Sequence, residues 1–403
     1  MDLPIAMIRR DYLIIGAGVA GASVCEGIRE HDKKGSVTLV GNEPYLPYSR
    51  PALSKSFLRE AKPDEGKLPL LDPAWYPKHK IEVRLGSVIT QLNLERRLAV
   101  FSTGQTIEFG KACIATGSRP HRPPVAGSTL GNIIYLRSLR DALALREVTA
   151  SEKNVVVVGG GLLALEAAAA LSQAGCKVSL LCRDEYLWRP WLDPDTAKWL
   201  TGVFESHGVH LMLREALNGF EGKTVLRNIQ TKSGNRFPAN VALVALGADL
   251  NLELVHNTPL SSPNGTPVNE CLETEEKGVY AVGDVALYPD LVLGGVRRNS
   301  HWESAILQGR VAGANMTGKK RTRFQYVPCF TSELFGMKFD FVGDFSLPPQ
   351  RATRGRPGAP EFLGAALSGG SAYLRSALQS HCRGRGSGPQ ALLGGQKEVT
   401  PTG

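Results

Sequence analysis

The sequence predicts an α/β fold of two three-layer domains, one inserted in the other, and three observations predict it. An apolar strand runs into the glycine turn Gly16–Gly21 and then a helix. The same order of strand, glycine turn and helix recurs from Asn154. A further apolar strand ending in Gly-Asp, Val279–Asp284, comes well past the second unit, and an insertion explains a strand of this kind so late in the chain.

The elements follow in order. Tyr12–Ile15 is an apolar run bounded by charge and then glycine, which suits a strand buried on both faces of a parallel sheet. A helix over Ala20–Glu30 and a strand at Ser36–Val40 complete a βαβ unit. The second unit has strand Asn154–Val158, helix Leu163–Ala174 and strand Lys177–Leu181. Ala112–Gly117 and Val241–Gly247 are apolar strands that each end in glycine, and Lys338–Val342 alternates like a strand. These place a discontinuous first domain at 1–117 and 246–323 and an inserted second domain at 118–245. Residues 324–350 begin a β-rich C-terminal α+β domain. Residues 351–403 hold eleven Gly, four Pro and no Asp, a low-complexity composition not expected to pack apart from a short helix near Ser371–Gln379.

Composition narrows the class. At 42% hydrophobic and 21% charged, the 403 residues read as an ordinary globular protein of two or three domains. Seven cysteines are scattered without a C-x-x-C pair or metal-ligand spacing, which argues for a reducing compartment and no structural metal. Arg9-Arg10 before an apolar run could pass for a twin-arginine signal, but strand, turn and helix explain that run better. It also falls short of the about 20 apolar residues that span a bilayer. A cytoplasmic protein without a membrane or nucleic-acid role is expected. The formal charge of +9 is uneven, since residues 351–403 carry seven Lys and Arg against two Glu. The mildly basic remainder serves solubility or attracts an acidic partner.

Gly16-Ala17-Gly18-Val19-Ala20-Gly21 has the G-x-G-x-x-G spacing in the strand-to-helix context it requires. Gly16 permits the tight turn, Gly18 lets a pyrophosphate approach the backbone, and Gly21 lets the helix lie close to the sheet. The helix N-terminus then offers free N–H groups to the phosphates. Asn42-Glu43, at the end of the second strand, is where a polar or acidic group should hold a ribose. The second turn, Gly159-Gly160-Gly161-Leu162-Leu163-Ala164, is the G-x-G-x-x-A variant. Both domains are therefore expected to be Rossmann-like nucleotide-binding domains. Arg183, after the second strand of the second unit, suits the 2′-phosphate of NADPH or is a solvated loop cation.

Five segments carry a resemblance: Gly16–Gly21, GNEPYLPYSRPALSK at Gly41–Lys55, IATGSRP at Ile114–Pro120, VVVVGGGLLALE at Val155–Glu166 and VYAVGDVA at Val279–Ala286. In order and spacing, over residues 10 to 345, the chain resembles the FAD-dependent, NAD(P)H-dependent reductases of ferredoxin and rubredoxin, with apoptosis-inducing factor as a relative. The resemblance implies FAD and NAD(P)H as cofactors. It implies that Gly16, Gly18, Ala20 and Gly21 line the FAD pyrophosphate. Asn42 stands where the family usually has Asp or Glu, so its amide or Glu43 would take the ribose. Arg50, Lys55, Thr116, Gly117 and Arg137 would lie near FAD, and Ile89 would offer its backbone to the adenine. Asp284 would hold the ribityl chain and Trp302 would lie beside the flavin. Gly159, Gly161, Ala164, Glu166, Arg183 and Gly247 would serve the nicotinamide nucleotide.

The resemblance implies that Lys55 and Glu166 are the catalytic pair, meeting above the reactive flavin nitrogen; read alone, they are a surface Lys and a Glu favoured by the helix N-terminus. Hydride arriving at the flavin pushes negative charge onto the ring, which a fixed cation stabilises. Related disulfide reductases carry a redox cysteine pair after the first helix, and related NADH oxidases a single cysteine; residues 41–60 contain none. Electrons are thus expected to leave the flavin singly, for a ferredoxin- or rubredoxin-type iron–sulfur carrier serving an oxygenase system. The rivals are a nitrite-reductase or NADH-oxidase type flavoprotein, and a redox-sensing binding protein like apoptosis-inducing factor. His301 is either structural or close to the nicotinamide, and the basic run Lys319–Arg323 is a solvated loop or a docking surface for an acidic carrier.

The chain departs from the family at its end. Phe324–Phe345 begins the third domain and then breaks into the Gly- and Arg-rich tail, a truncated or aberrant region that a shifted reading frame would produce. Thr331 stands where relatives often carry an aromatic flavin neighbour.

Overall fold

The structure is a computed structural model. It describes residues 8–189, 191–192, 194–319 and 321–343 in full, and the backbone alone of 350–354 and 363–367. The expected helix near Ser371–Gln379 lies outside the described residues. Seven α-helices are present among them: α1 Val19–His31, α2 Ser56–Arg59, α3 Trp75–Lys78, α4 Leu139–Ser151, α5 Leu162–Gln173, α6 Pro194–Ser206 and α7 Trp302–Met316.

The first sheet starts from β1 Ile8–Ile15, which pairs in parallel with β2 Val37–Val40 on one side. Beyond β2 lies β3 Ile81–Arg84, also parallel. The remaining strands are β4 Ile89–Asn93, β5 Leu98–Phe101 and β6 Thr106–Ile114. β6 lies parallel to the other side of β1, while β4 and β5 extend the sheet antiparallel. The late strand Val279–Ala281 joins this same sheet, parallel to Ala112–Ile114 of β6. That pairing, made across the whole second unit, is the insertion expected from the sequence.

The second sheet is parallel throughout, in the order His210–Leu213, Lys177–Cys182, Asn154–Val158, Val241–Val244 and Ile133–Ile134. A three-stranded antiparallel sheet, Leu217–Thr231 with Arg236–Pro238, covers one of its faces. The chain leaves the first domain along Ser118–Pro120 and returns along Ala248–Leu250, and these two short strands pair antiparallel.

Alternation along the central strands explains the three layers. Tyr12 and Ile14 pack with α1 and α7, whereas Leu13 and Ile15 pack toward β4, β5 and Leu260. In the second sheet Val155 and Val157 face α5, and Val156 and Val158 face Phe220 and Ile229 of the antiparallel sheet. A strand buried on both faces must be apolar at every position, which is why these runs were legible. Helices α1 and α7 cross closely because Gly27 and Gly313 carry no side chain: a Cβ on Gly313 would collide with the carbonyl of Val24.

After α7 the chain forms an antiparallel hairpin, Cys329–Leu334 with Met337–Val342. Further on, the backbone pairs Gln350–Arg354 with Leu363–Leu367, all but Gln350 within the stretch expected to be low-complexity.

Candidate functional site

The two glycine turns share one backbone geometry. Gly16 (φ +119°) and Gly159 (φ +139°) adopt a backbone that side-chain-bearing residues rarely reach, and a Cβ on either would strike the carbonyl of Ala115 or Ala245. Gly21 lies against the carbonyl of Gly16, and Ala164 takes the matching place in the second turn, close to Gly159. The middle glycines differ. Gly18 (φ −91°, ψ −170°) and Gly161 (φ −86°, ψ −177°) have extended backbones open to any residue, yet nothing lies within 4 Å of where their Cβ atoms would be. Each is the N-cap of its helix without a side-chain cap. Each turn is thus an open cradle at an uncapped helix N-terminus, with Ala20 in the first turn of α1, and a dinucleotide pyrophosphate fits both.

Around the first cradle, Asn42 is exposed and Glu43 is engaged, accepting from Tyr48 Oη at 2.7 Å and pairing with Arg50. Arg50 also donates to the carbonyl of Arg137 at 2.7 Å. Of the two ribose candidates, Glu43 is therefore the preorganised one. Gly86 and Ser87 N–H bond to Glu43 and Gly41 carbonyls, so the segment leading to Ile89 lies beside this loop. Ile89 itself is buried at the start of β4, paired with Phe101 of β5.

Opposite, Thr116 and Asn251 exchange two bonds, Oγ1 to the Asn251 carbonyl at 2.8 Å and Nδ2 to the Thr116 carbonyl at 2.9 Å. They lock Gly117 between β6 and the returning chain. Arg137 donates to Asp284 Oδ2 at 3.2 Å and to the Ser118 carbonyl at 3.1 Å, and Ser118 Oγ donates to the same Asp284 oxygen at 2.5 Å. Asp284 is buried in the short turn after Val279–Ala281, so the pair offers an oriented carboxylate rather than a free one. Burial pulls the Arg137 guanidinium below its ordinary range, against the pull of Asp284. Trp302 opens α7 immediately after His301, whose ring stacks on Phe330 at 4.3 Å. Burial lowers His301 to about 4, so its imidazole is neutral near pH 7.

The expected catalytic pair is formed. Lys55 Nζ lies 2.8 Å from Glu166 Oε1, with the carboxylate nearly buried. Two hydroxyls that sequence reasoning missed complete the carboxylate's shell: Ser54 Oγ donates to Oε2 at 2.7 Å and Ser332 Oγ to Oε1 at 2.8 Å. Glu166 stands in the second turn of α5, Ser54 and Lys55 in the segment before α2, and Ser332 on the C-terminal hairpin. Three parts of the chain thus meet at one carboxylate.

Beside the second cradle lies a third residue that sequence reasoning missed. Arg183 is 82% exposed and reaches only Asp184, at 3.8 Å. The Asp184 carboxylate instead points at the turn, 3.7 Å from where a Cβ of Gly160 would lie. The signal was available, since Asp184 is two residues beyond the strand that ends at Cys182. Gly247 (φ +106°) lies on the return strand side, its carbonyl accepting from His121 N–H at 3.0 Å.

Six cysteines fall among the described residues and all are free; five are buried and Cys329 is half-buried. Burial pushes Cys25 up to about 12 and Cys113 higher still, so neither offers a thiolate. Thr331, at the position where relatives often place an aromatic, is exposed and donates to Asp340 Oδ1 at 2.8 Å. In the basic run, Lys319 bonds the His31 carbonyl at 2.8 Å, and Arg321 and Arg323 reach toward Glu270 at 3.7 and 3.8 Å.

Known proteins are similar to this chain. The chain is 33% identical over 355 residues to the ferredoxin–NAD(+) reductase subunit of the benzene 1,2-dioxygenase system of Pseudomonas putida, covering 88% of this chain and 84% of that one. It is also 33% identical to the peroxisomal monodehydroascorbate reductase 4 of Arabidopsis thaliana, over 83% of this chain and 72% of that one. The putidaredoxin reductase–putidaredoxin complex superposes with a TM-score of 0.82 at 29% identity, over 88% of this chain and 86% of that one. Residues 10–309 match the model of one family along most of the chain, and with its two glycine cradles and inserted domain the chain belongs to the pyridine nucleotide-disulphide oxidoreductase family.

Proposed function

We propose that this chain is an FAD-dependent NAD(P)H oxidoreductase that delivers electrons one at a time to a ferredoxin- or rubredoxin-type iron–sulfur protein. The observation that carries the reading is the 2.8 Å pair of Lys55 and Glu166, which joins the first nucleotide-binding unit to the second. The nicotinamide and flavin supply hydride and single-electron chemistry when bound; the chain supplies binding, orientation and electrostatics.

The residues divide as follows. The α1 and α5 N-termini, at Gly18 and Gly161, hold the two pyrophosphates. Glu43 takes the FAD ribose, with Arg50 and Asn42 beside it. Asp284, held by Arg137 and Ser118, orients the ribityl chain, and Trp302 and Thr116 border the ring. Lys55 places a fixed cation where negative charge develops, and Glu166 both holds that cation and presents a carboxylate to the nicotinamide carboxamide. The absence of cysteine from residues 41–60 leaves no thiol between flavin and acceptor, which supports an external one-electron carrier. Asp184 supports NADH as the preferred donor, because a carboxylate there accepts from ribose hydroxyls and repels a 2′-phosphate. The proposed domains are 1–117 with 246–323 and 118–245, supported by the paired linker strands, and 324–350, where the hairpin Cys329–Val342 lies. The six free cysteines and the placement of Arg9 and Arg10 inside β1 support a cytoplasmic location. No described helix is long and apolar enough to cross a membrane.

Anaerobic stopped-flow mixing with NADH and with NADPH, followed by turnover on ferredoxin, rubredoxin, monodehydroascorbate and oxygen, tests the reading. Fast flavin bleaching by NADH with turnover on an iron–sulfur carrier is expected. Fast bleaching with negligible turnover on any carrier would sink the carrier-reductase reading.

A further inference from the structure

We propose that Ser332, on the C-terminal hairpin, is a positioning residue for hydride transfer, acting through Glu166; this rests on the oxidoreductase reading above. Its hydroxyl and the Lys55 ammonium share one oxygen, Oε1, each at 2.8 Å, while Ser54 holds the other. Ser332 is wholly buried, so no bulk water takes its place if the hydroxyl is lost. A carboxylate that lacks one of three donors rotates toward the others, and the ammonium it anchors moves with it.

The hairpin is built to hold that hydroxyl still. Along Cys329–Leu334 the residues Phe330, Ser332 and Leu334 point inward, whereas Thr331 is exposed. Phe330 stacks on His301 and on Phe341, and so seats the hairpin on the flavin-side unit. Arg59 and Glu333, 3.1 Å apart, add a tie to α2. On the other side Trp188 packs edge-on against Phe339 and Phe341, and Phe335 stacks on His207 at 3.9 Å. One hairpin therefore clasps both units, and its only buried hydroxyl among the described residues lands on the carboxylate between them.

A double-mutant cycle tests this in the FAD-loaded full chain, with Ser332→Ala, Ser332→Thr, Glu166→Gln and the Ser332→Ala/Glu166→Gln double variant. Lys338→Ala is the control at an exposed position of the same hairpin. Three quantities are read: the limiting rate of flavin bleaching by NADH, the Kd of NAD(+) by calorimetry, and the thermal midpoint. Ser332→Ala is expected to slow bleaching about tenfold or more, as loss of a hydrogen bond to a charged group implies. Ser332→Thr should recover most of that rate, and Lys338→Ala should match the wild type. In the Glu166→Gln background the Ser332→Ala step should cost less than about threefold, because the two act as one unit. Full additivity, or a loss confined to the thermal midpoint, would overturn the proposal. If the wild type itself is not bleached by either nicotinamide nucleotide, the oxidoreductase reading falls instead.

Discussion

Replacing Lys55 by Met removes the cation and keeps most of the side-chain bulk, which isolates the electrostatic contribution. At 2.8 Å, with an effective dielectric near 20, the Lys55–Glu166 attraction is about 6 kcal/mol before desolvation. Desolvation of both partners leaves a net value of about 2–3 kcal/mol for a charge-assisted contact. The negative charge that develops on the ring during hydride arrival loses the same cation, an effect comparable to deleting one oxyanion donor, about 100-fold in rate. Lys55→Met should therefore bleach about 100-fold more slowly at saturating NADH, with FAD content preserved. NADH affinity should change far less, because Ser54 and Ser332 still hold Glu166. Anaerobic single-turnover stopped flow separates the two quantities. A bleaching rate within about threefold of wild type in a fully FAD-loaded variant would refute the assigned role of Lys55.

Three further outcomes are expected. Gly18→Val should fold with the apoprotein's thermal midpoint nearly unchanged, since nothing lies within 4 Å of the new Cβ, yet retain little FAD; Gly21→Ala should instead fold poorly, because its Cβ meets the Gly16 carbonyl. Absorbance per protein and calorimetry distinguish the two, and a flavin-replete Gly18→Val would remove the cradle from the FAD site. Asp184→Ala should raise the KM for NADH about tenfold and narrow the NADH-to-NADPH ratio of kcat/KM, as a lost ribose contact implies, and an unchanged ratio counts against Asp184 as the selector. His301 titrates near 6.5 when unfolded and about 4 when folded, so the unfolded chain binds its proton first as pH falls. Its contribution is present above pH 6.5 and is lost between 6.5 and 4, by about 3 kcal/mol at most. Denaturant titrations of His301→Phe should show a shallower loss of stability over that window than the wild type, and parallel curves would contradict the burial argument.

Much of the fold was legible because its signals are local. The strand Asn154–Val158 has the bounds that its apolar run predicts, and α5 begins and ends within one residue of the expected helix. Gly16 and Gly159 are demanded by backbone geometry within a few residues of chain, so a glycine pattern announces them. The late Val279–Ala281 strand revealed the insertion because a central parallel strand must be apolar on both faces wherever it lies in sequence.

The sequence by itself determined two nucleotide cradles, the nesting of one unit in the other, and the absence of cysteine beside the first. Tertiary structure alone decided which side chains converge. Ser54 and Ser332 reach Glu166 across 112 and 166 residues, and the Arg137–Asp284 pair closes over 147. It also decided that Asp184 rather than Arg183 faces the second turn, a matter of side-chain direction that the order Cys182-Arg183-Asp184 does not carry. Spacing encodes backbone periodicity and tight turns because both are set by near neighbours. The partners of a buried carboxylate are set by packing, which brings whichever hydroxyl or cation the folded layers place within reach.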